Sequence, residues 1–241
     1  MNNPFPHWLF DSDSQSENVE TETHPPRPPK QVGDPEGWSN GIPECGGVVC
    51  SHFEGKGHTK NGIASAYKDP LSPNGLPITV DPGLTFNDIL SRPFRLGDTL
   101  RESEAEDMYF RQLRGTRYLQ GLQQRVPWWP QMHVNQLGAL LSFVFNNGPG
   151  NLDNHDGAPT LAGAISSKDW QQIGKAILLY CRGNDRKRAW GLVRRRFVEY
   201  KLGETTKIWS PDELESQIII WKSSDEIKQI AHEMGCKGVP N

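Results

Sequence analysis

At 241 residues, with 35 % hydrophobic content, 24 glycines and 19 prolines, the chain has material for one sizeable packed body with appendages and excludes two large domains joined by generous linkers. The net charge of −3 hides an asymmetry: residues 1–36 hold seven acids (Asp11, Asp13, Glu17, Glu20, Glu22, Asp34, Glu36) against Arg27 and Lys30, so the remainder is mildly cationic, which suits an anionic polymer. No run approaches the ~18 apolar residues of a membrane span, and Met1–His7 lacks the basic-then-apolar order of a signal peptide, so no stable membrane insertion is expected.

Residues 1–40 are rich in Pro, Ser, Glu and Asp and include His24-Pro25-Pro26-Arg27-Pro28-Pro29. Such a segment cannot bury enough apolar area to offset its ordering entropy, and it reads as a disordered N-terminal tail. From Gly41 to Phe53 the sequence predicts a first short helix with Val48, Val49 and Phe53 on it, and Gly55 ends it, leaving Glu54 at the mouth of a cleft. The loop from Lys56 to Ser65 carries His58, a solvated histidine with no second ligand at metal-site spacing. Ile78, Thr79 and Val80 read as a short strand within a hairpin that runs to Thr85. Ser103 with Glu106 is a capping-box start, and Ala105, Met108, Tyr109 and Leu113 repeat at helical intervals toward Val126.

Trp128 and Trp129 stand between Pro127 and Pro130, in a loop. From His133 to Phe145 apolar residues cover almost every face, the pattern of a buried central helix, and Asn146-Asn147-Gly148-Pro149-Gly150 cannot continue it. Ser166 or Ser167 opens another helix, with Trp170, Ile173, Ile177 and Tyr180 on one side and Gly183 closing it. A basic stretch follows, from Arg182 to Arg196; three successive arginines on a helix, Arg194-Arg195-Arg196, point in three directions and cannot all serve one ligand. Ser210-Pro211-Asp212-Glu213 is a capped start for one more helix, and Asp225 to Met234 predicts the last. Cys45, Cys50, Cys181 and Cys236 show no zinc spacing and read as buried thiols.

Chemistry concentrates between Phe53 and Thr85. Apolar neighbours disfavour the ionised form of Glu54, which is how a glutamic acid stays protonated near neutral pH and donates to a leaving group. Asp69, in Asp-Pro context, offers a second carboxylate, and two carboxylates flanking a glycosidic bond are what most glycosidases require. Glu54-Gly55, then Ala66-Tyr67-Lys68-Asp69-Pro70, then Thr79-Val80-Asp81-Pro82-Gly83-Leu84-Thr85 resembles the active-site hairpin of phage-type lysozymes, glycoside hydrolase family 24. Three further motifs follow in the family's order: Ser142-Phe143-Val144-Phe145-Asn146-Asn147-Gly148, Thr160-Leu161, and Gly191-Leu192-Val193-Arg194-Arg195-Arg196. Together they cover roughly residues 45–203, and four matches in order are far more specific than any one.

The resemblance implies an α+β fold, mostly helical with a small β-hairpin lobe. Here it would carry a disordered tail (1–40), a catalytic domain (41–203) and a C-terminal helical extension (204–241). It implies hydrolysis of the β-1,4 bond between N-acetylmuramic acid and N-acetylglucosamine in bacterial peptidoglycan, without cofactor or metal, by a monomer that binds no nucleic acid. Glu54 would be the general acid, Asp69 the second carboxylate, Thr79 the water-positioning hydroxyl, and Tyr67 and Asn146 substrate contacts. An arginine of the 194–196 run would neutralise a site carboxylate, the others being surface ion pairs or wall contacts. Two features depart from the pattern. Lys56 to Ser65 looks like an insertion, and Asp81 stands where the family has glycine, which makes Asp81 the alternative second carboxylate. With no signal peptide, such an enzyme waits in the host cytoplasm for a holin or travels as a virion component. The competing expectation is a catalytically inactive lysozyme-like part of a phage tail.

Overall fold

The computed structural model describes residues 34–54, 57–68, 74–154, 159–182, 189–236 and 239. In chain order its elements are β1 (Trp38–Ser39), β2 (Ile42–Pro43), α1 (Glu44–Glu54), β3 (Thr59–Lys60), β4 (Ile63–Ser65), β5 (Tyr67–Lys68), β6 (Ile78–Thr79), β7 (Phe86–Asn87), β8 (Arg92–Pro93), β9 (Thr99–Arg101), α2 (Glu102–Arg114), α3 (Leu119–Arg125), α4 (Val134–Asn147), α5 (Pro159–Ser167), α6 (Trp170–Leu178), α7 (Trp190–Glu204), α8 (Pro211–Ser223) and α9 (Asp225–Glu233). The fold is α+β: helices dominate, and the strands form small antiparallel sheets, β1-β2, β3-β4-β9, β5-β6 and β7-β8. Of the tail expected over 1–40, residues 1–33 lie outside the described residues. Trp38 pairs with Pro43 and Ser39 with Ile42, so ordered backbone begins ahead of Gly41. Among the described residues no helix is long and apolar enough to cross a membrane.

The helix apolar all round is α4, and it is the centre of the body, buried along Leu137–Phe145 and packed between α1 and α7. Two glycines set how closely α1 and α4 approach. A Cβ at Gly46 would lie 2.8 Å from the Gly138 carbonyl oxygen, and one at Gly138 would lie 2.4 Å from Cys45 Sγ. His133 caps α4, its Nδ1 accepting from the Asn135 N–H at 3.2 Å, and Gly148 at φ +78° ends it.

Several helix boundaries differ from the sequence expectations: α1 runs Glu44–Glu54 and not from Gly41, because Ile42 and Pro43 pair as a strand with Ser39 and Trp38, and α4 runs past Phe145 to Asn147. α2 starts at Glu102, not Ser103, because Glu104 reaches back to the Arg101 N–H at 3.0 Å and fixes the first turn there. The pattern expected to run toward Val126 breaks between α2 and α3, where Gly115 is extended. Ser166 and Ser167 close α5 instead of opening a helix; Asp169 opens α6, its carboxylate accepting from the Gln171 N–H at 2.9 Å. Gly183, expected to close that helix, lies outside the described residues.

Beyond α7, Ser210 and Glu213 form the expected capping box at the head of α8. Leu214 and Ile218 of α8 join the main core, while Ile227 and Ala231 of α9 pack with Val193, Phe197 and Cys181. None of the four cysteines is in a disulfide; Cys45, Cys50 and Cys181 are buried and Cys236 is half-buried.

Candidate active site

α1 carries Glu54 as its last residue, and α4 and α7 pack against the same helix, so the site forms where three helices converge. Arg195, from the buried face of α7, donates from Nη1 to Glu54 Oε1 at 3.1 Å, and neither side chain has any solvent exposure. Its guanidinium lies 5.6 Å over the Phe53 ring and 6.0 Å over Phe145, so aromatic faces replace part of its lost hydration. The same guanidinium donates to the Ser142 carbonyl at 3.2 Å and to Glu199 Oε1 at 3.3 Å.

Glu199 is the hub of this buried network. Its Oε1 also accepts from the Ser142 hydroxyl at 2.7 Å, and its Oε2 accepts from Arg196 Nη1 at 2.7 Å. Arg196 donates in turn to Asn146 Oδ1 and stacks 5.0 Å over Phe143. Arg196 is therefore fully buried, not the surface arginine expected; on α7 both Arg195 and Arg196 face the core because Glu199 lies one turn on and supplies the counter-charge. Arg194 takes the outer side, 5.9 Å over the Trp190 ring.

Glu54 Oε2 is buried with no hydrogen-bond partner and faces Gly83, where a Cβ would lie 2.7 Å away. Where the sequence places Glu54 at the mouth of a cleft, the structure has its carboxyl without solvent exposure beneath a turn. That turn runs from Asp81 to Leu84, closed by reciprocal Val80–Leu84 backbone bonds of 2.8 and 2.7 Å, and Gly83 adopts φ +79°. Burial pushes the Glu54 carboxyl well above its ordinary 4.5; Arg195 pulls it back and the charge of nearby Asp81 pushes it further up.

Asp81 is 3 % exposed. Its Oδ2 accepts from the His58 backbone N–H at 2.7 Å and from the Thr59 hydroxyl at 3.2 Å, and the Tyr67 hydroxyl also hydrogen-bonds to the carboxylate. The His58 ring stacks on Tyr67 with centroids 3.7 Å apart, so this histidine is tied into the lobe through both its ring and its backbone. Burial raises the Asp81 pKa, against the pull of these donors.

The remaining candidates are distributed as follows. Asp69 and Gly55 lie outside the described residues. Thr79 is 2 % exposed on β6, opposite Tyr67, and its hydroxyl donates to the Pro77 carbonyl at 3.3 Å. Asn146 gives its carbonyl oxygen to Arg196, while its Nδ2 is buried without a partner. Asn147, by contrast, donates to the Phe143 carbonyl one turn back at 3.1 Å, which is the capping role. Trp128 and Trp129 pack half-buried against the core. Glu199 and Ser142 were missed by sequence reasoning, although Glu199 stands at i+4 and i+3 from two arginines and Ser142 heads a motif.

The family model described as phage lysozyme matches residues 58–199, more than half of the chain. The chain belongs to the phage lysozyme family. The match starts four residues after Glu54, so for this family member the place of Glu54 rests on the Arg195 pairing and the Gly83 contact. Among solved structures, an endolysin from Escherichia coli O157:H7 phage FAHEc1 superposes with a TM-score of 0.51 at 16 % identity, over 69 % of this chain and 94 % of that one, a likeness of fold. No curated protein matches.

Proposed function

We propose that this phage lysozyme family member is a muramidase that hydrolyses the β-1,4 bond between N-acetylmuramic acid and N-acetylglucosamine in bacterial peptidoglycan, with Glu54 as the general acid. The observation that carries this reading is the Glu54 carboxyl, held above its ordinary pKa by burial while Arg195 fixes one oxygen and leaves the other aimed at the Gly83 turn. In the reaction the Glu54 proton passes to the glycosidic oxygen as the C1–O bond breaks, and the new carboxylate is stabilised by the Arg195 guanidinium. Water then adds to C1. Because the Asp81–Leu84 turn covers Glu54, a glycan strand reaches the acid only when that turn moves. The unpartnered Asn146 Nδ2 supports a substrate hydrogen bond from that residue. A holin or a virion would bring the protein to the wall, with residues 41–203 as the catalytic body.

Glu54→Gln keeps the size and an acceptor for Arg195 and removes the proton, a role worth about 10²–10⁴ in rate. Clearing of purified sacculi with reducing-end analysis should fall by that factor; parent-like clearing by the variant would refute the assignment. The burial of Glu54 favours one second reading, an inactive lysozyme-like structural part. A folded parent protein that releases no reducing ends from sacculi would support it.

A further inference from the structure

We propose that Asp81 is the second carboxylate of the reaction, and that the inserted β3–β4 hairpin together with Tyr67 is the device that holds it. The inference rests on the muramidase reading and deepens it. Both departures from the family pattern meet at one carboxylate: Asp81 stands where glycine is expected, and the donors on its Oδ2, the His58 N–H at 2.7 Å and the Thr59 hydroxyl at 3.2 Å, come from the segment that lengthens the hairpin. The third donor, Tyr67, is pinned by His58 stacked on its ring at 3.7 Å and by β5–β6 pairing opposite Thr79. An aspartate added without the extra hairpin would be a buried carboxylate short of donors, and a hairpin added without the aspartate would aim its donors at nothing.

Position argues for a reacting role. Asp81 is two residues from Gly83, whose backbone lies against Glu54 Oε2, and the Asp81 charge pushes the Glu54 pKa up. The turn that covers the acid thus carries its partner, and lifting the turn would admit a glycan strand between them. Asp81 then either takes a proton from the water that adds to C1, or bonds to C1 directly and is displaced by water whose proton goes to Glu54; in both cases the leaving oxygen takes the Glu54 proton, and in the first route Glu54 is reprotonated from solvent as Asp81 releases its proton. Thr59 and Tyr67 are positioning residues that aim Asp81 and favour its ionised form against the effect of burial.

The test uses the full-length chain on purified sacculi. Asp81→Asn is expected to lower turnover by about 10²-fold or more with little change in KM and a cooperative melt, whereas Asp69→Asn stays within about threefold of the parent. Thr59→Val removes one donor from Asp81, so the acid limb of the pH–rate profile should move to higher pH, and Thr59→Ser should restore it. An Asp81→Asn variant that is folded and within threefold of the parent overturns the proposal, as does an Asp69→Asn loss equal to or larger than that of Asp81→Asn. If Asp81→Asn fails to fold, the Thr59 pair decides: a displaced and rescued limb supports the proposal and an unmoved limb overturns it. Glu54→Gln is run alongside. Parent-like activity there rejects the muramidase reading itself, whereas loss there with an unaffected, folded Asp81→Asn rejects only this inference.

Discussion

Replacing Glu199 with glutamine tests how the two buried arginines are tolerated. Arg195, Arg196, Glu54 and Glu199 have side chains without solvent exposure, so water does not screen their charges and each guanidinium depends on a buried counter-charge. Both Glu199 oxygens accept from donors, namely Ser142, Arg195 and Arg196, and a proton on either would oppose one of them; the group is therefore the anion of the network although burial pushes its pKa up. With Glu54 protonated for its task, Glu199 alone answers two guanidiniums. Glutamine removes that charge and turns one acceptor into a donor facing a donor. Breaking one partner of a buried pair costs about 3–5 kcal/mol. At about 2–4 °C per kcal/mol for a chain of this size, the melting temperature should drop by on the order of 10 °C, read by far-ultraviolet circular dichroism. The substitution also leaves two cations beside Glu54, drawing it toward its ionised form, so the alkaline limb of the lysis profile should move to lower pH. A melting temperature within about 2 °C of the parent, together with an unmoved alkaline limb, would refute the charge accounting.

Two further outcomes follow from the cover over Glu54. Gly83→Ala imposes a side chain at φ +79° and sets a Cβ 2.7 Å from Glu54 Oε2, which Arg195 holds in place; Gly62→Ala, at φ +73° with nothing within 4 Å, carries the backbone strain of about 1–2 kcal/mol alone. The Gly83 variant should therefore melt lower than the Gly62 variant and lose more lytic rate, and equal losses in the two would mean the turn does not rest on the acid. For the pH dependence of stability, the folded Glu54 pKa is raised, so its contribution is complete below about 4.5 and is lost as pH rises through the folded value. The melting temperature of Glu54→Gln should accordingly gain on that of the parent as pH increases from 4.5 toward neutrality, and a constant difference across that range would contradict a raised pKa.

Much of the architecture was legible because local chemistry and tertiary demand agree there. α4 announced itself by apolar residues on every face, and α8 by Ser210, Pro211 and Glu213 at its head. The errors fall where two local signals compete. Ser103 with Glu106 fits the capping pattern, whereas Arg101 offers no side-chain acceptor and only Glu104 reaches back to its N–H; β4–β9 pairing, Ile63 opposite Arg101, fixes where the strand ends and so where α2 begins. Ser166 and Ser167 are residues that favour a helix start, yet the Asp169 carboxylate just beyond them makes the cap.

The buried network behind Glu54 was not legible in the sequence, and the arginines show why. Three in a row can be assigned to three directions from helical geometry alone, and one of them to a site carboxylate from family resemblance. Which two turn inward depends on what the facing helices offer, and that information is spread over Ser142 and Asn146 on α4, Glu199 on α7 and Glu54 on α1. Burying a second guanidinium would be prohibitive on its own. It is tolerated because Glu199 spans both arginines from one turn away and because Phe143 and Phe145 cover the guanidinium faces. The cost is a rigid, dry wall behind Glu54, and that wall has a chemical consequence. On the proposed muramidase reading, the Arg195 guanidinium, tied to Ser142 and Glu199, stays in place when Glu54 gives up its proton, so the carboxylate left behind is met by a fixed charge with no reorganisation, and among the described residues it is the glycine turn in front that stands outside this network.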